Sequence, residues 1–196
     1  MSQKYIQLLS EALIPLLGFF LWDWGLYFIL LFYILDMFAN EFVIHLKSRK
    51  TTDFQIEKRN KLTWIKSGVM SIALITVIIV LIHLVMRSIE PGINFIEQAT
   101  SFWNYTEFGI KQGYVLLPLL FFAGYQQYKM QFLASAKYRN TVMKYLWKKH
   151  FQAFIVVIGF CGLTFGLSQI YIFPEIVYIL GTVLFTTLYK WKFSEI

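Results

Sequence analysis

Six apolar runs alternate with polar segments along the chain. They lie at residues 6–22, 26–46, 67–86, 108–128, 151–170 and 176–189. A membrane-spanning helix needs about 20 predominantly apolar residues, because the hydrocarbon core of a bilayer is about 30 Å thick. The pattern therefore predicts an all-α, polytopic membrane protein with six transmembrane helices, which form a single integral membrane domain over residues 1–196.

The basic residues test this division independently of hydropathy. If the chain crosses six times, sixteen of its eighteen Lys and Arg residues fall on one side, and only Arg87 and Lys111 fall on the other. Cytoplasmic loops carry an excess of Lys and Arg. The distribution predicts that both termini are cytoplasmic, with Lys190 and Lys192 in the polar end that follows the sixth run.

The overall charge fits the same picture. The chain carries a net charge of +7, but it is 58% hydrophobic and only 15% charged, against about 25% charged residues in soluble proteins. No segment is long enough to form a soluble basic domain, so nucleic acid is not an expected partner. The basic stretches at residues 47–66 and 129–149 are predicted to rest on anionic lipid headgroups. The lipid bilayer is the expected partner, and a second copy or a partner membrane protein stays open.

The second run is unusual because it carries polar residues inside an apolar stretch. Asp36 is its middle residue, and Asn40, Glu41 and His45 follow. A carboxyl group at the bilayer centre costs about 2.5–3.5 kcal/mol on insertion scales, so such a residue is a functional-site candidate. Tyr33, Asp36 and Asn40 share one helical face, and Glu41 and His45 share another.

The first run contributes a second carboxyl group at a similar depth. Counted from Trp24 in the turn between the first two runs, Glu11 and Asp36 both lie about 18–20 Å along their helices. Pro15 frees the backbone carbonyl of Glu11, because proline has no N–H to donate. The candidate polar cluster is thus Glu11, Tyr33, Asp36, Asn40 and Glu41.

Two interpretations of this cluster stay open. Neighbouring carboxyl groups in a low dielectric can share a proton, so the cluster would line a proton or cation path. Alternatively, its hydrogen bonds hold the helices together. Glu41 and His45 could supply two metal ligands, but no matching third ligand stands in register, and we predict no metal or cofactor site.

Small residues and one histidine complete the candidates. Gly159, Gly162 and Gly166 are predicted to allow close helix packing inside the protein or along a dimer contact. His150 follows Lys148 and Lys149, so it is predicted to mark the cytoplasmic membrane boundary.

No catalytic motif is present in the sequence. It contains no Gly-x-Ser-x-Gly, no His-Glu-x-x-His and no pair of cysteines. An enzyme is therefore disfavoured, although a lipid-modifying enzyme that uses Asp36 and Glu41 stays an alternative. The favoured function is a small transporter or channel, and the main alternative is a structural or accessory membrane subunit.

The first two runs resemble a known type of protein. The segment ALIPLLGFFLWDWGLYFILLFYILD contains Pro15, Gly18, Trp22, Tyr33 and Asp36. This arrangement is similar to an uncharacterised family of multi-pass prokaryotic membrane proteins whose first hairpin carries Pro-x-x-Gly, then Trp, then Tyr-Trp-x-Glu. Here Ile34 replaces that Trp and Asp36 replaces that Glu. The resemblance implies a small polytopic protein of the prokaryotic cytoplasmic (inner) membrane and brings no known activity.

Overall fold

The computed structural model describes residues 3–107 and 110–193. Within these residues the chain is all-α apart from one short antiparallel pairing of β1 (Thr106–Glu107) with β2 (Ile110–Lys111). The seven α-helices are α1 (Gln3–Trp22), α2 (Leu26–Gln55), α3 (Lys58–Ile89), α4 (Phe95–Asn104), α5 (Gln112–Gln127), α6 (Met143–Ile170) and α7 (Glu175–Phe193). A π-helical turn (Tyr128–Leu133) and a 3₁₀ turn (Lys137–Arg139) connect α5 to α6.

Helix α2 is the centre of the fold. It contacts each of the other six α-helices, while α3 packs along α6 and α1 packs along α7. Its buried residues cover most of its circumference, as expected for a helix that is surrounded by others. The polar residues of α2 are therefore held against neighbouring helices.

Three of the described helices, α2, α3 and α6, are long and apolar enough to cross a membrane. Their polarity is arranged as a membrane requires. On α3, Ser71 is fully buried, whereas its neighbours Met70 and Ile72 are 52% and 60% exposed. Large exposed apolar surfaces are rare on soluble monomers, and intramembrane polar residues face the bundle interior. The helices thus indicate a membrane protein.

Four helices, α2, α3, α6 and α7, extend further than the apolar pattern predicts. Residues 47–66 form the last turns of α2 and the first turns of α3, rather than a loop, and the break falls at Ile56, which has a positive φ of 50°. Helix α6 begins at Met143 instead of residue 151, and α7 continues to Phe193. These segments contain no Gly or Pro, so nothing stops the helix where it leaves the apolar run.

The α1–α2 turn is closed by a backbone cap. Asp23 adopts a positive φ of 54°, and the N–H of Trp24 donates to the carbonyl of Gly18, six residues earlier, at 3.0 Å. The indole of Trp24 then lies so close to Gly18 that a Cβ there would overlap the ring. Only glycine fits at this position.

The α6–α7 turn lies beside the start of α2. The N–H of Leu26 donates to Oε1 of Glu175 at 2.6 Å, which satisfies one of the four free N–H groups of the first turn of α2. Glu175 opens α7. The first residues of α2 and α7 therefore lie at one level, and depths along both helices can be compared from there.

Candidate functional site

Asp36 forms an ion pair with a residue from the other end of the chain. Nζ of Lys190 on α7 lies 2.7 Å from Oδ2 of Asp36, and both side chains are about 15% exposed. The side-chain amide of Asn40, one turn further along α2, donates to the same oxygen at 3.1 Å. The carboxylate is therefore held by a cation and by an amide N–H.

The depth of this pair follows from the Leu26–Glu175 contact. Asp36 is ten residues from the start of α2, or about 15 Å, and Lys190 is fifteen residues from the start of α7, or about 22 Å. The long lysine side chain covers the difference by extending towards Asp36, as lysine stems commonly do. The sequence predicts that Lys190 lies in a polar segment after the sixth helix. That prediction is wrong, because α7 continues to Phe193 and the Lys190 side chain lies inside the helix bundle.

A cavity of about 210 Å³ lies against this pair. It is enclosed by α2, α3, α6 and α7, and Gln127 reaches it from α5. One water molecule needs about 10–15 Å³ of such space, so the cavity has room for several. Its polar wall includes Tyr33, Asp36, Asn40, Lys47, His150 and Lys190, and its apolar wall includes Ile34, Ile78, Ile82, Phe154 and Phe160.

The structure separates the residues of the predicted polar cluster. Tyr33, Asp36 and Asn40 all line the cavity. They lie on one face of α2, as their spacing in the sequence predicts. Glu41 lies in a different cluster, described next. The side chain of Glu11 lies outside the described part of the structure.

Glu41 is the centre of a buried polar network between α2, α3 and α6. Nε2 of His150 lies 2.8 Å from Oε2 of Glu41, and Nε2 of His45 lies 2.9 Å from Oε1. The hydroxyl of Ser71 donates to Oε2 at 2.7 Å. Glu41 and His150 are each 7% exposed, and Ser71 is fully buried, so the network meets its surroundings only at His45 and where His150 borders the cavity.

A further bond fixes the tautomer of a neutral His45. The indole N–H of Trp64 donates to Nδ1 of His45 at 3.0 Å. An indole N–H can only donate, so Nδ1 carries no proton and the ring proton of a neutral His45 must lie on Nε2. Trp64 therefore selects the tautomer whose protonated nitrogen is the one 2.9 Å from Oε1 of Glu41.

The Ser71, His150 and Glu41 side chains do not form a catalytic triad. In a triad the base accepts the serine proton on one ring nitrogen, and the carboxylate holds the other nitrogen. Here the Ser71 hydroxyl and Glu41 both approach Nε2 of His150, at 3.0 and 2.8 Å. The nitrogen that would take the proton from Ser71 is already held by Glu41.

The network also leaves no space for a metal ion. Both imidazoles contact the carboxylate oxygens directly, whereas zinc would stand between them at about 2.0–2.2 Å from each ligand atom. Among the described residues, no group of three or more His, Cys, Asp or Glu side chains is arranged to hold a metal.

The sequence predicts that His150 marks the cytoplasmic membrane boundary, and the structure adds that its side chain is buried. It lies seven residues inside α6, because that helix starts at Met143, and it is buried beside Glu41. The third histidine, His83, contacts the hydroxyl of Tyr27 at 3.0 Å and the carbonyl of Ile79 at 2.7 Å. It belongs to neither the cavity nor the Glu41 network.

Four members of the site were missed from the sequence. These members come from α3, α6 and α7: Ser71 and Trp64, His150, and Lys190. One signal was available for Ser71, since it is a polar residue inside the apolar run at residues 67–86. The uninterrupted helical pattern of residues 176–193 was the corresponding signal for Lys190.

The glycines of α6 lie on an exposed face of that helix. A Cβ added at Gly159, Gly162 or Gly166 would meet no atom of another helix within 4 Å among the described residues. Within that part of the chain, no second helix packs closely on these glycines. A contact with another copy or another protein stays a prediction.

Comparison with known protein families, curated proteins and solved structures finds no match.

Proposed function

We propose that the protein is a small multi-pass transporter or channel of a prokaryotic cytoplasmic membrane, and that protons pass through the cavity beside Asp36. In this proposal the chain crosses the bilayer six times, through α1, α2, α3, α5, α6 and α7, with both termini cytoplasmic. The distribution of Lys and Arg supports that threading, because sixteen of eighteen then lie on the cytoplasmic side.

The observation that carries the proposal is an ion pair inside a cavity at membrane depth. A charge at the bilayer centre is costly unless it is paired, and such residues mark ion and proton pathways. Asp36 and Lys190 satisfy each other at 2.7 Å, yet they line a space that holds several waters. Pure helix packing would not need that space.

Two lysines in the cavity limit which ions can be transported. Lys47 and Lys190 line the cavity together with one carboxylate, that of Asp36. A sodium or potassium ion beside Asp36 would be repelled by Lys190 at close range. A proton is not excluded in this way, because it can move between carboxylate, amine and water one bond at a time.

An accessory or structural subunit is the second candidate function. The open glycine surface of α6 favours it, because small residues at four-residue spacing allow close approach of another transmembrane helix. A lipid-modifying enzyme is less well supported, since neither Asp36 nor Glu41 stands beside an activated nucleophile.

Proton flux into proteoliposomes tests the proposal. Vesicles contain a pH-sensitive dye, and valinomycin with a potassium gradient sets the membrane potential. We expect the Asp36→Asn variant to lower the proton flux at least about tenfold, because Asn cannot exchange a proton. The matched control is Lys192→Met, which removes an exposed lysine two residues from Lys190 and should leave the flux unchanged.

The flux measurement also separates the two candidate functions. If wild-type vesicles take up protons no faster than protein-free vesicles, the transport proposal is wrong. If Asp36→Asn then lowers the stability of the protein or its recovery with a partner, the accessory function takes its place.

A further inference from the structure

The Glu41 network lies directly behind the wall of the cavity. Glu41 is not among the cavity residues, but His150 both lines the cavity and contacts Glu41. We propose that Glu41 and His150 form a proton-loading site that exchanges one proton with water in the Asp36 cavity. This inference rests on the proposed function for its role in transport, and it names the pair that receives the proton.

The geometry of the pair suits a shared proton. Oε2 of Glu41 and Nε2 of His150 are 2.8 Å apart, the distance of a charge-assisted hydrogen bond. In the loaded state Glu41 is a carboxylate and His150 is an imidazolium, so the pair is neutral. Two buried groups at this distance titrate as one unit, and the proton belongs to the pair.

Release of the proton needs one ring N–H of His150 and one water in the cavity. The His150 imidazolium gives its Nδ1 proton to that water, which leaves a hydronium ion and a neutral imidazole whose Nε2 proton stays between His150 and Glu41. Glu41 stays ionised and keeps the Ser71 hydroxyl as a donor at 2.7 Å, with the N–H of His45 2.9 Å away. The site then carries one negative charge, and uptake of a proton from the cavity reverses the step.

His45 is a positioning residue in this arrangement. Trp64 donates to its Nδ1, so its only ring proton lies on Nε2, the nitrogen 2.9 Å from Oε1 of Glu41. Since Trp64 and Ser71 lie about 9 and 20 Å from the first residue of α3, the network extends from one end of that helix towards its middle.

The other groups that face the site are few. On α2 the titratable neighbour of Glu41 is His45, on α6 it is His150, and α3 presents the neutral Ser71. The cavity lining also contains the titratable side chains of Tyr33, Asp36, Lys47, Cys161, Tyr189 and Lys190. Loading therefore changes the charge of the cavity wall at His150 by a full unit.

Nitrogen NMR of the full chain in lipid bilayers tests the inference, with ¹⁵N-labelled histidine as the probe. The chain has only three histidines. We expect His150 to carry protons on both nitrogens at acid pH and on one at alkaline pH, while His45 carries its proton on Nε2. Glu41→Gln should lower the doubly protonated fraction of His150 at least about tenfold at a given acid pH.

Two further variants complete the experiment. Glu41→Asp keeps the charge and should retain a doubly protonated His150. His83→Gln removes the histidine that contacts Tyr27, and it should leave the signals of His45 and His150 unchanged. In proteoliposomes Glu41→Gln should lower the proton flux at least about tenfold, and His83→Gln should not.

The inference is wrong if His150 in the wild-type protein keeps a single ring proton at every pH. It is equally wrong if Glu41→Gln leaves the titration of His150 unchanged. The wild-type spectra alone decide the first point, so the test does not depend on how well a variant folds. If the wild-type protein conducts protons but His150 does not change its protonation with pH, the loading site is wrong and the proton path is retained. If His150 titrates but no proton flux is measured, the proton path is wrong and the Glu41–His150 proton site is retained.

Discussion

Replacing Asp36 by Asn, or Lys190 by Met, lowers the free energy of unfolding by about 2–4 kcal/mol. Each substitution keeps the size of the side chain and leaves the other charge without its counter-ion inside the bundle. The range lies below the ~3–5 kcal/mol of a dry buried pair, because cavity water hydrates part of the remaining charge. Unfolding by titrated denaturant in detergent micelles, followed by circular dichroism, measures the effect.

The double variant gives the sharper result. Asp36→Asn with Lys190→Met removes both charges, and we expect it to recover most of the stability that either single change loses, since replacing both partners is often close to neutral. Lys192→Met is the control and should change stability by no more than about 0.5 kcal/mol. Strictly additive losses would show that the two side chains do not interact.

Replacing Glu41 by Ala lowers the free energy of unfolding by about 3–5 kcal/mol. The change removes the acceptor of Ser71 and His150 and the neighbour of His45, and it leaves these polar groups buried among apolar helices. Ser71→Ala removes one donor and should lower stability by about 0.5–1.5 kcal/mol. The same unfolding measurement compares the two.

A control on the same helix isolates the effect of burial. Asp53 is an exposed acidic residue near the end of α2, and Asp53→Ala should change stability by no more than about 0.5 kcal/mol. If Glu41→Ala changes stability as little as Asp53→Ala, Glu41 is not held by the network.

The sequence predicts the parts of this structure that depend on one helix at a time. Apolar runs of sufficient length locate α2, α3 and α6, and helical spacing places Tyr33, Asp36 and Asn40 on one face. The high cost of an acid at membrane depth identifies Asp36 before its partner is known. These inferences need only hydropathy and the geometry of a single helix.

The partners of those residues depend on how helices pack, and periodicity does not contain that information. Lys190 is distant from Asp36 in sequence, and positive charge at the end of an apolar run is equally typical of a cytoplasmic tail. The burial of His150 is not evident from the sequence, because α6 begins before its apolar run does. In both cases the helix continues through polar residues, because water or neighbouring helices can form hydrogen bonds with those side chains without a loop.

Chemical labelling of Cys161 tests the central claim, that water reaches a cavity at membrane depth beside Asp36, most directly. Cys161 is the only cysteine of the chain, and it lines the cavity while only 8% exposed. The experiment measures its reaction with a charged, membrane-impermeant thiol reagent in intact vesicles, with Cys161→Ser as the control. We predict that wild-type protein is modified in the folded state and that the modification stops proton flux. A Cys161 that reacts only after the protein is unfolded would contradict the account.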